Sequence, residues 1–551
     1  MSTFNLLDEP WLPVLDAGTD LRDAPHHPVR FREISLRDAF TRAPEIREVY
    51  SDAPLETVAL YRLLLALTID VYLSEADRDD WMALWRQRRF NPTDLECYLA
   101  AHALHTHFDL LDPERPFYQH PQPHSSTEGK DPAPLAKLFH AEASGNNATL
   151  FGHELDNVPR QVVLAEAARG LVCAQAAALG GGVSKPFNFS HAPLVGGDIF
   201  WIRGRSLFDA LLLNAPPDNA ARMVKEGGFD YGEQDRPNWR QEDLPEEHAR
   251  RPAAGYLDYL TWQARRLTLV TMEENDRVVA TGVFLTQGDK DEPAVGIRDP
   301  LMARVGSKTK GVFPFGFRAN RALWRDADLL FRIADPNDEG APLTFQWLDR
   351  VAATDYPAEA SELEAQGWLV DAFGLATEPG KAGKVAFWRH ERFPIYHAFL
   401  DDPSRLPDLQ RALEFAEEQR GILRGAARTV AEYLLDPPPP GSDDRPSPDQ
   451  KTVSSLIDGL DVESRYWAML EPFFYELLRD LARQNEAAAR TERLWQWAKD
   501  IYDAARRSFE AATSMLDQNA RVLRALAEGQ RRLGRVKAYR EHRKTLQEEP
   551  S

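Results

Sequence analysis

Three groups of residues in this chain have the types and spacing to do chemistry. His102, His105 and His107, with Asp109, are the densest set of potential metal ligands. On a helix, positions 102 and 105 share a face while 107 points elsewhere. The spacing fits no metalloprotease motif, and half-buried structural histidines are the ordinary alternative. The second group is Gly180-Gly181-Gly182, followed by Ser184 and Lys185. Without a Cβ, glycine lets backbone approach a ligand closely. A helix C-cap accounts for one glycine, whereas three in a row suggest close approach to something flat or anionic. The third group lies near the C-terminus. Between Arg521 and Lys544 stand nine Lys or Arg (Arg521, Arg524, Arg531, Arg532, Arg535, Lys537, Arg540, Arg543, Lys544) against Glu528 and Glu541. Its plain reading is a solvated helix face and tail.

Other chemistry finds little support. There is no nucleophile elbow, Walker loop or dinucleotide fingerprint, and the many carboxylates form no recognisable pair. Cys97 and Cys173 are the only cysteines, too few for a disulfide framework or a cysteine zinc site. A reducing cytoplasm fits them best, and neither cofactor nor metal is expected. The net charge of −20 argues against coating nucleic acid by bulk charge. Local cations can still act, because screening confines each contact to about 10 Å.

The elements that must position these residues divide the chain in two. Its 551 residues imply two or more domains, and 43% hydrophobic with 28% charged residues reads as globular. Helical periodicity runs from Leu55 to Leu73, interrupted for a membrane span by Glu56, Arg62 and Asp70. No membrane partner is expected, and Met1 to Asp8 lacks the pattern of a signal peptide. An alanine-rich helix is predicted from Val162 to Ala178. Strand-like runs occur at Asp198–Arg203, Leu267–Met272 and Val278–Leu285. Long polar stretches, His120–Pro134 and Pro216–Pro252, suggest binding or disordered loops. After about residue 400, four apolar stripes (Leu409 to Leu434, Tyr466 to Leu481, Leu494 to Phe509, Val522 to Leu533) predict a four-helix bundle. Pro472 should kink the second helix or fix its start. The expected fold is α+β: a large irregular mixed domain, 1–400, then a four-helix bundle with a basic tail, 401–551.

Short segments in a characteristic order resemble the CasA family, the large subunit of type I-E CRISPR Cascade complexes. They are Phe4 to Val14 (FNLLDEPWLPV), Pro116 to Gln119, Ser144 to Phe151, Gly180 to Gly182, Phe200 to Gly204, Leu211 to Asn214, Pro237 to Trp239, Asp299 to Ala303, Arg321 to Asp326 and Phe387 to Arg389. The resemblance covers nearly the whole chain and implies a subunit without catalysis. Such a subunit inspects double-stranded DNA for a protospacer-adjacent motif, inserts a wedge, and presents a surface to a helicase–nuclease. Its implied partners are the crRNA-containing Cascade subunits, the double-stranded target DNA and the helicase–nuclease.

The same resemblance assigns residues. Gly180, Gly181, Gly182 and Lys290 fall where the motif is read from the minor groove, whose hydrogen-bond pattern is degenerate. Asn147, Leu150 and Phe151 fall in a first loop near guide and motif. The wedge falls in a hairpin, Ala376 to Lys384, at Gly380, Lys381, Ala382 and Lys384. Some relatives carry a glutamine at the tip, which this hairpin lacks. Relatives with a zinc cysteine cluster have it about where this chain has Glu273 to Asp276, so no metal is expected. Arg531, Arg532 and Arg535 are candidates for backbone contact. An acidic helical scaffold that binds only proteins, and an unrecognised hydrolase using the histidines, are the other readings. With an ordinary φ, Gly181 would tolerate a side chain; with φ above zero, one would cost roughly 1–2 kcal/mol.

Overall fold

The computed structural model describes residues 3–16, 32–74, 76–139, 160–181, 189–215, 235–241, 250–291, 299–307, 309, 311–333, 339–345, 347–348, 367–378, 381–439, 446–517, 519–537 and 539–540. Two units divide the chain. One comprises Met1–Ala319, Arg332–Tyr356 and Trp368–Ile395; the other comprises Asn320–Phe331, Pro357–Gly367 and Tyr396–Ser551. The division expected at 400/401 therefore lies at 395/396, and the second unit also takes in Asn320–Phe331. The physical reason is Trp324, which is buried against Phe474 and Trp467 of the helical unit at ring-centroid distances of 4.6 and 5.5 Å.

In the first unit the N-terminal segment ties distant elements together. Leu6 N donates to Phe108 O, and Leu36 N donates to Leu6 O. The buried Trp11 indole donates to Leu6 O at 3.1 Å. The chain then enters β1 (Leu12–Asp16), which lies between antiparallel β2 (Arg32–Ile34) and β3 (Ile46–Val49). Helix α1 (Pro54–Thr68) starts with proline at its first turn, where a missing N–H costs nothing. Every residue from Leu55 to Thr68 is buried, as in a helix that runs through a core. Its Arg62 pairs with Asp299 at 2.5 Å, both side chains being inaccessible. A π turn (Ile69–Leu73) follows and turns Asp70 inward, where it meets Tyr98 of α2 (Pro92–Ala101) and Arg240. The alanine-rich helix α3 (Leu164–Ala177) packs on α1; small side chains let the two approach.

Next come β4 (Ile199–Ile202), wholly buried, and β5 (Arg250–Arg251). The hairpin of β6 (Arg265–Glu274) and β7 (Arg277–Gln287) turns at Asn275 and Asp276, with φ of 51° and 61°. Two left-handed residues make the tight turn that matches strand twist, so Glu273 to Asp276 close a hairpin. Strand β8 (Lys290–Asp291) runs parallel to β5. Finally β9 (Trp368–Glu378) and β10 (Lys381–Ile395) form a long hairpin, with β4 on the other edge of β9.

The second unit contains α4 (Leu406–Leu435), α5 (Gln450–Leu460), α6 (Val462–Arg483), α7 (Ala487–Thr513) and α8 (Ala520–Arg532). The four long amphipathic helices are those the apolar stripes predict; α5 is additional, separated from α6 by left-handed Asp461 (φ 52°). Pro472 lies inside α6 and does not mark its start. Leu409, Ala416 and Val430 of α4 meet the core with Leu470, Leu477, Trp497 and Ile501, all at most 1% exposed. Burying such a large side chain contributes about 1.5–3 kcal/mol. The polar ends of the rings are matched too: Trp497 donates to Ala412 O at 2.8 Å and Tyr466 to Ala416 O at 3.0 Å. No single described helix is long and apolar enough to cross a membrane.

Candidate functional site

The glycine turn grows directly from the end of α3. Ala178 leaves the helix in extended conformation, its N–H bonded to Ala174 O. From there residues 178–181 run antiparallel to 189–192 and make a neck. Ala192 N donates to Ala178 O at 2.9 Å, and Gly181 N to Phe189 O at 2.8 Å. Gly180 N donates to His191 Nδ1 at 2.9 Å, so this nitrogen must be unprotonated. Burial, then the nearby Arg265, holds His191 below the usual imidazole range, which suits that role.

Both described glycines have structural reasons to be glycine. A Cβ at Gly180 would stand 2.7 Å from His191 N. Gly181 has φ +106°, where L residues are strained; of the two alternatives this is the one in which a side chain costs stability, as in a helix cap and turn. Gly182 lies outside the described residues.

The neck is bolted to the β6–β7 hairpin. Ser190 N donates to Gln287 Oε1 at 2.8 Å, and Gln287 Nε2 returns a bond to Ser190 Oγ at 2.9 Å. Arg265 Nη2 donates to Leu179 O at 2.6 Å, and its guanidinium lies 4.8 Å from the centre of the Phe189 ring. Three residues beyond Gln287 comes Lys290, half-buried in β8. The intervening Gly288 is also obligatory, since a Cβ would meet Gln263 O at 2.1 Å.

The hairpin of β9 and β10 brings its tip to this neck. Its register runs regularly to Ala376↔Phe387, shifts at Thr377↔Val385 and shifts again at Glu378↔Lys381, so residues 382–384 bulge out of the ladder. Within the bulge, a Cβ at Gly383 would stand 3.4 Å from the Gly180 carbonyl oxygen. Lys381 is exposed and pairs with Glu378 at 2.9 Å; Lys384 is half-buried. Ala382 lies in the same bulged stretch of backbone, and Gly380 lies outside the described residues. Deeper under this hairpin, buried Asp198 faces Gly374, where a Cβ would fall 1.9 Å from Asp198 Oδ1. Burial pushes the Asp198 carboxyl well up.

The structure thus brings together Gly180, Gly181, the bulge at Ala382 and Lys384, and the strand that carries Lys290. Asn147, Leu150 and Phe151 lie outside the described residues. Arg531, Arg532 and Arg535 belong to the second unit and differ among themselves. Arg531 and Arg532 are exposed, the former beside Glu528. Arg535 is half-buried, 4.9 and 5.0 Å from the ring centres of Tyr502 and Tyr539. Others in the cation run also serve packing: Arg524 donates to Pro438 O at 2.7 Å, and Arg521 to Leu434 O. The histidine group is occupied differently from a metal site. His107 Nδ1 donates to Trp239 O at 2.8 Å, and Asp109 accepts from Phe4 N and Leu111 N. Among the described residues no three His, Cys, Asp or Glu side chains gather as metal ligands do.

Sequence reasoning missed His191, Gln287 and Arg265, which fasten the neck, and Arg250 and Arg251 beside Lys290. Only the consecutive cations of Arg250-Arg251-Pro252 offered a signal, at the end of a stretch read as loop.

Comparison with known proteins follows the same lines. The family model for CRISPR-associated protein Cse1 matches residues 5–508. A curated relative, CRISPR-associated protein CasA/Cse1 of Thermus thermophilus, is 30% identical over 97% of this chain and 97% of the relative. A crystal structure of Thermus thermophilus CasA superposes with a TM-score of 0.74 at 26% identity, covering 97% of this chain and 99% of that one. A chain in a structure described as a CRISPR RNA-guided surveillance complex shares the fold, with TM-score 0.71 at 21% identity over 97% and 100%.

Proposed function

This chain belongs to the Cse1 family of CRISPR-associated proteins, and on that premise we propose that it is the large, non-catalytic subunit of an RNA-guided surveillance complex that inspects double-stranded DNA. The observation that carries the reading is the approach of the hairpin bulge to the glycine neck, 3.4 Å from Gly383 to Gly180 O. Bare backbone from one element meets a lysine-bearing tip from another. Backbone without side chains fits the narrow minor groove, where readout rests on few donors and acceptors. Lys290 supplies a donor for base-edge acceptors, with Gly180, Gly181 and Gly182 lining the approach.

In this reading the hairpin tip, Gly380 to Lys384, is the wedge that holds a base step apart, at a cost of a few kcal/mol. Guide pairing then supplies the remaining sequence specificity. Asn147, Leu150 and Phe151 lie near guide and motif, Arg531 and Arg532 contact a nucleic-acid backbone or a neighbouring subunit, and the assembled complex recruits a helicase–nuclease.

The test uses the reconstituted complex and matched targets with correct or altered motifs. Lys290→Ala should narrow the preference for the correct motif. Lys381→Ala with Lys384→Ala should impair binding to closed duplex while sparing a pre-opened target. Variants that discriminate and open duplex like the parent would refute the assignment.

A further inference from the structure

The ladder of β5 and β8 carries a charge arrangement unlike the ion pairs around it. Arg250 is the register partner of Lys290, and Arg251 of Asp291. Successive residues of a strand face opposite ways, and register partners share a face. On one face Arg251 closes an inner cluster. Its guanidinium reaches Asp289 at 2.7 Å and Asp258 at 2.9 Å, and lies 4.4 Å from the centre of the Trp262 ring. Asp258 and Asp289 are almost inaccessible. The other face is left to Arg250, exposed, and Lys290, half-buried. Neither has an acidic partner among the described residues. Two like charges opposite each other destabilise a ladder, and the buried carboxylates of Asp258 and Asp289 are already taken by Arg251. Among the described residues this pair of cations stands without compensation, in a chain of net charge −20.

We propose that Arg250 is a phosphate-positioning residue: it takes a backbone phosphate of the target duplex beside the base pair that Lys290 reaches. A phosphodiester there relieves the repulsion between the two cations. The Arg251 lock fixes the register, and so fixes where both charges stand. This inference rests on the duplex-inspection reading and adds to it a contact that carries no sequence information. A phosphate contact sets position and salt dependence; a base contact sets preference.

The experiment compares Arg250→Gln, Arg250→Lys and Lys290→Gln in the reconstituted complex. Affinity for duplexes with correct and altered motifs is titrated from 50 to 200 mM salt. One phosphate contact contributes a slope of about 0.9 in log K against log[salt]. Arg250→Gln should therefore lose about 3.5-fold less affinity than the parent across that fourfold salt range. It should bind more weakly at low salt by the same factor on both duplexes, and keep the preference between them. Arg250→Lys should retain the parent slope, which separates charge from packing. Melting should not fall in any of the three variants, and relief of the repulsion should, if anything, raise it for the two glutamine variants. An unchanged slope in Arg250→Gln, or a lost preference, overturns the phosphate assignment. Loss of preference in Lys290→Gln with parental behaviour in Arg250→Gln would remove this inference and leave the inspection reading standing. Full preference in Lys290→Gln would instead count against that reading.

Discussion

Exchanging Gly181 for alanine isolates the strain in the neck, and Gly383→Ala serves as its internal control. Both substitutions add one methyl group close to the same point, since Gly383 faces the carbonyl oxygen of Gly180, the neighbour of Gly181. Gly181 has φ +106°, outside the range comfortable for L residues. Alanine there should cost about 1–2 kcal/mol or slightly more, because this φ lies beyond the left-handed helical well. Gly383 has no such backbone demand among the described residues, and its Cβ would meet Gly180 O at 3.4 Å, an ordinary contact. Where native φ and ψ suit alanine, the exchange stabilises by about 0.4–1 kcal/mol, by restricting the unfolded chain. The two variants should thus fall on opposite sides of the parent. The assay is urea unfolding of the purified chain, read at its midpoint with the slope m checked for constancy. In heat, the Gly181 variant should melt a few degrees earlier, at the low end of the usual shift because the unit is large. Equal destabilisation by both, or a Gly181→Ala variant as stable as the parent, would refute the strain argument.

Three further outcomes follow from particular contacts. The Gly180 N–H to His191 Nδ1 bond needs a neutral ring, and His191 is held below the ordinary imidazole value of 6.5; the unfolded chain therefore binds the proton more readily. Stability from the neck should be complete above pH of about 6.5 and decline below it, seen as lost exchange protection at the Gly180 amide. Arg62→Leu should destabilise by about 3–5 kcal/mol, because it strands buried Asp299; Arg62→Leu with Asp299→Leu should recover much of this in denaturant titration. Arg535→Glu should lower the melting point by forfeiting two ring contacts worth about 0.5–1 kcal/mol each, whereas Arg531→Glu with Arg532→Glu should leave melting unchanged and weaken target capture by the complex.

What the sequence makes legible here is local. The period of α1, the apolar stripes of the long helices and the alternation in β6 and β7 are all visible within windows of a few turns. The family order of short segments points to the candidate site, because it singles out the glycine turn, Lys290 and the hairpin of β9 and β10 without any geometry. The fastening of that site is not legible. Ser190 and Gln287 are 97 residues apart, and nothing local to either announces the other. Strands β5 and β8 have two residues each, too short for any period, so Arg250 and Arg251 read as loop. The sign of φ at Gly181 is equally hidden, since a glycine is compatible with both signs. Arg535 shows the converse: its charge is plain in the sequence, and the two rings that claim it are not.

Trp324 has a consequence for how the chain is made. Its side chain is fully buried against Phe474 and Trp467, residues synthesised some hundred and fifty positions later. Nearby Arg321 and Arg325 wait likewise for Glu417, which they meet at 2.8 and 2.6 Å. The growing chain must therefore carry this apolar segment unshielded while the strands of β9 and β10 emerge and close the first unit. A fragment cut at 395/396 would leave the indole on one piece and its pocket on the other. Such a first piece should be sticky and poorly soluble, and expression of the two pieces together should rescue both.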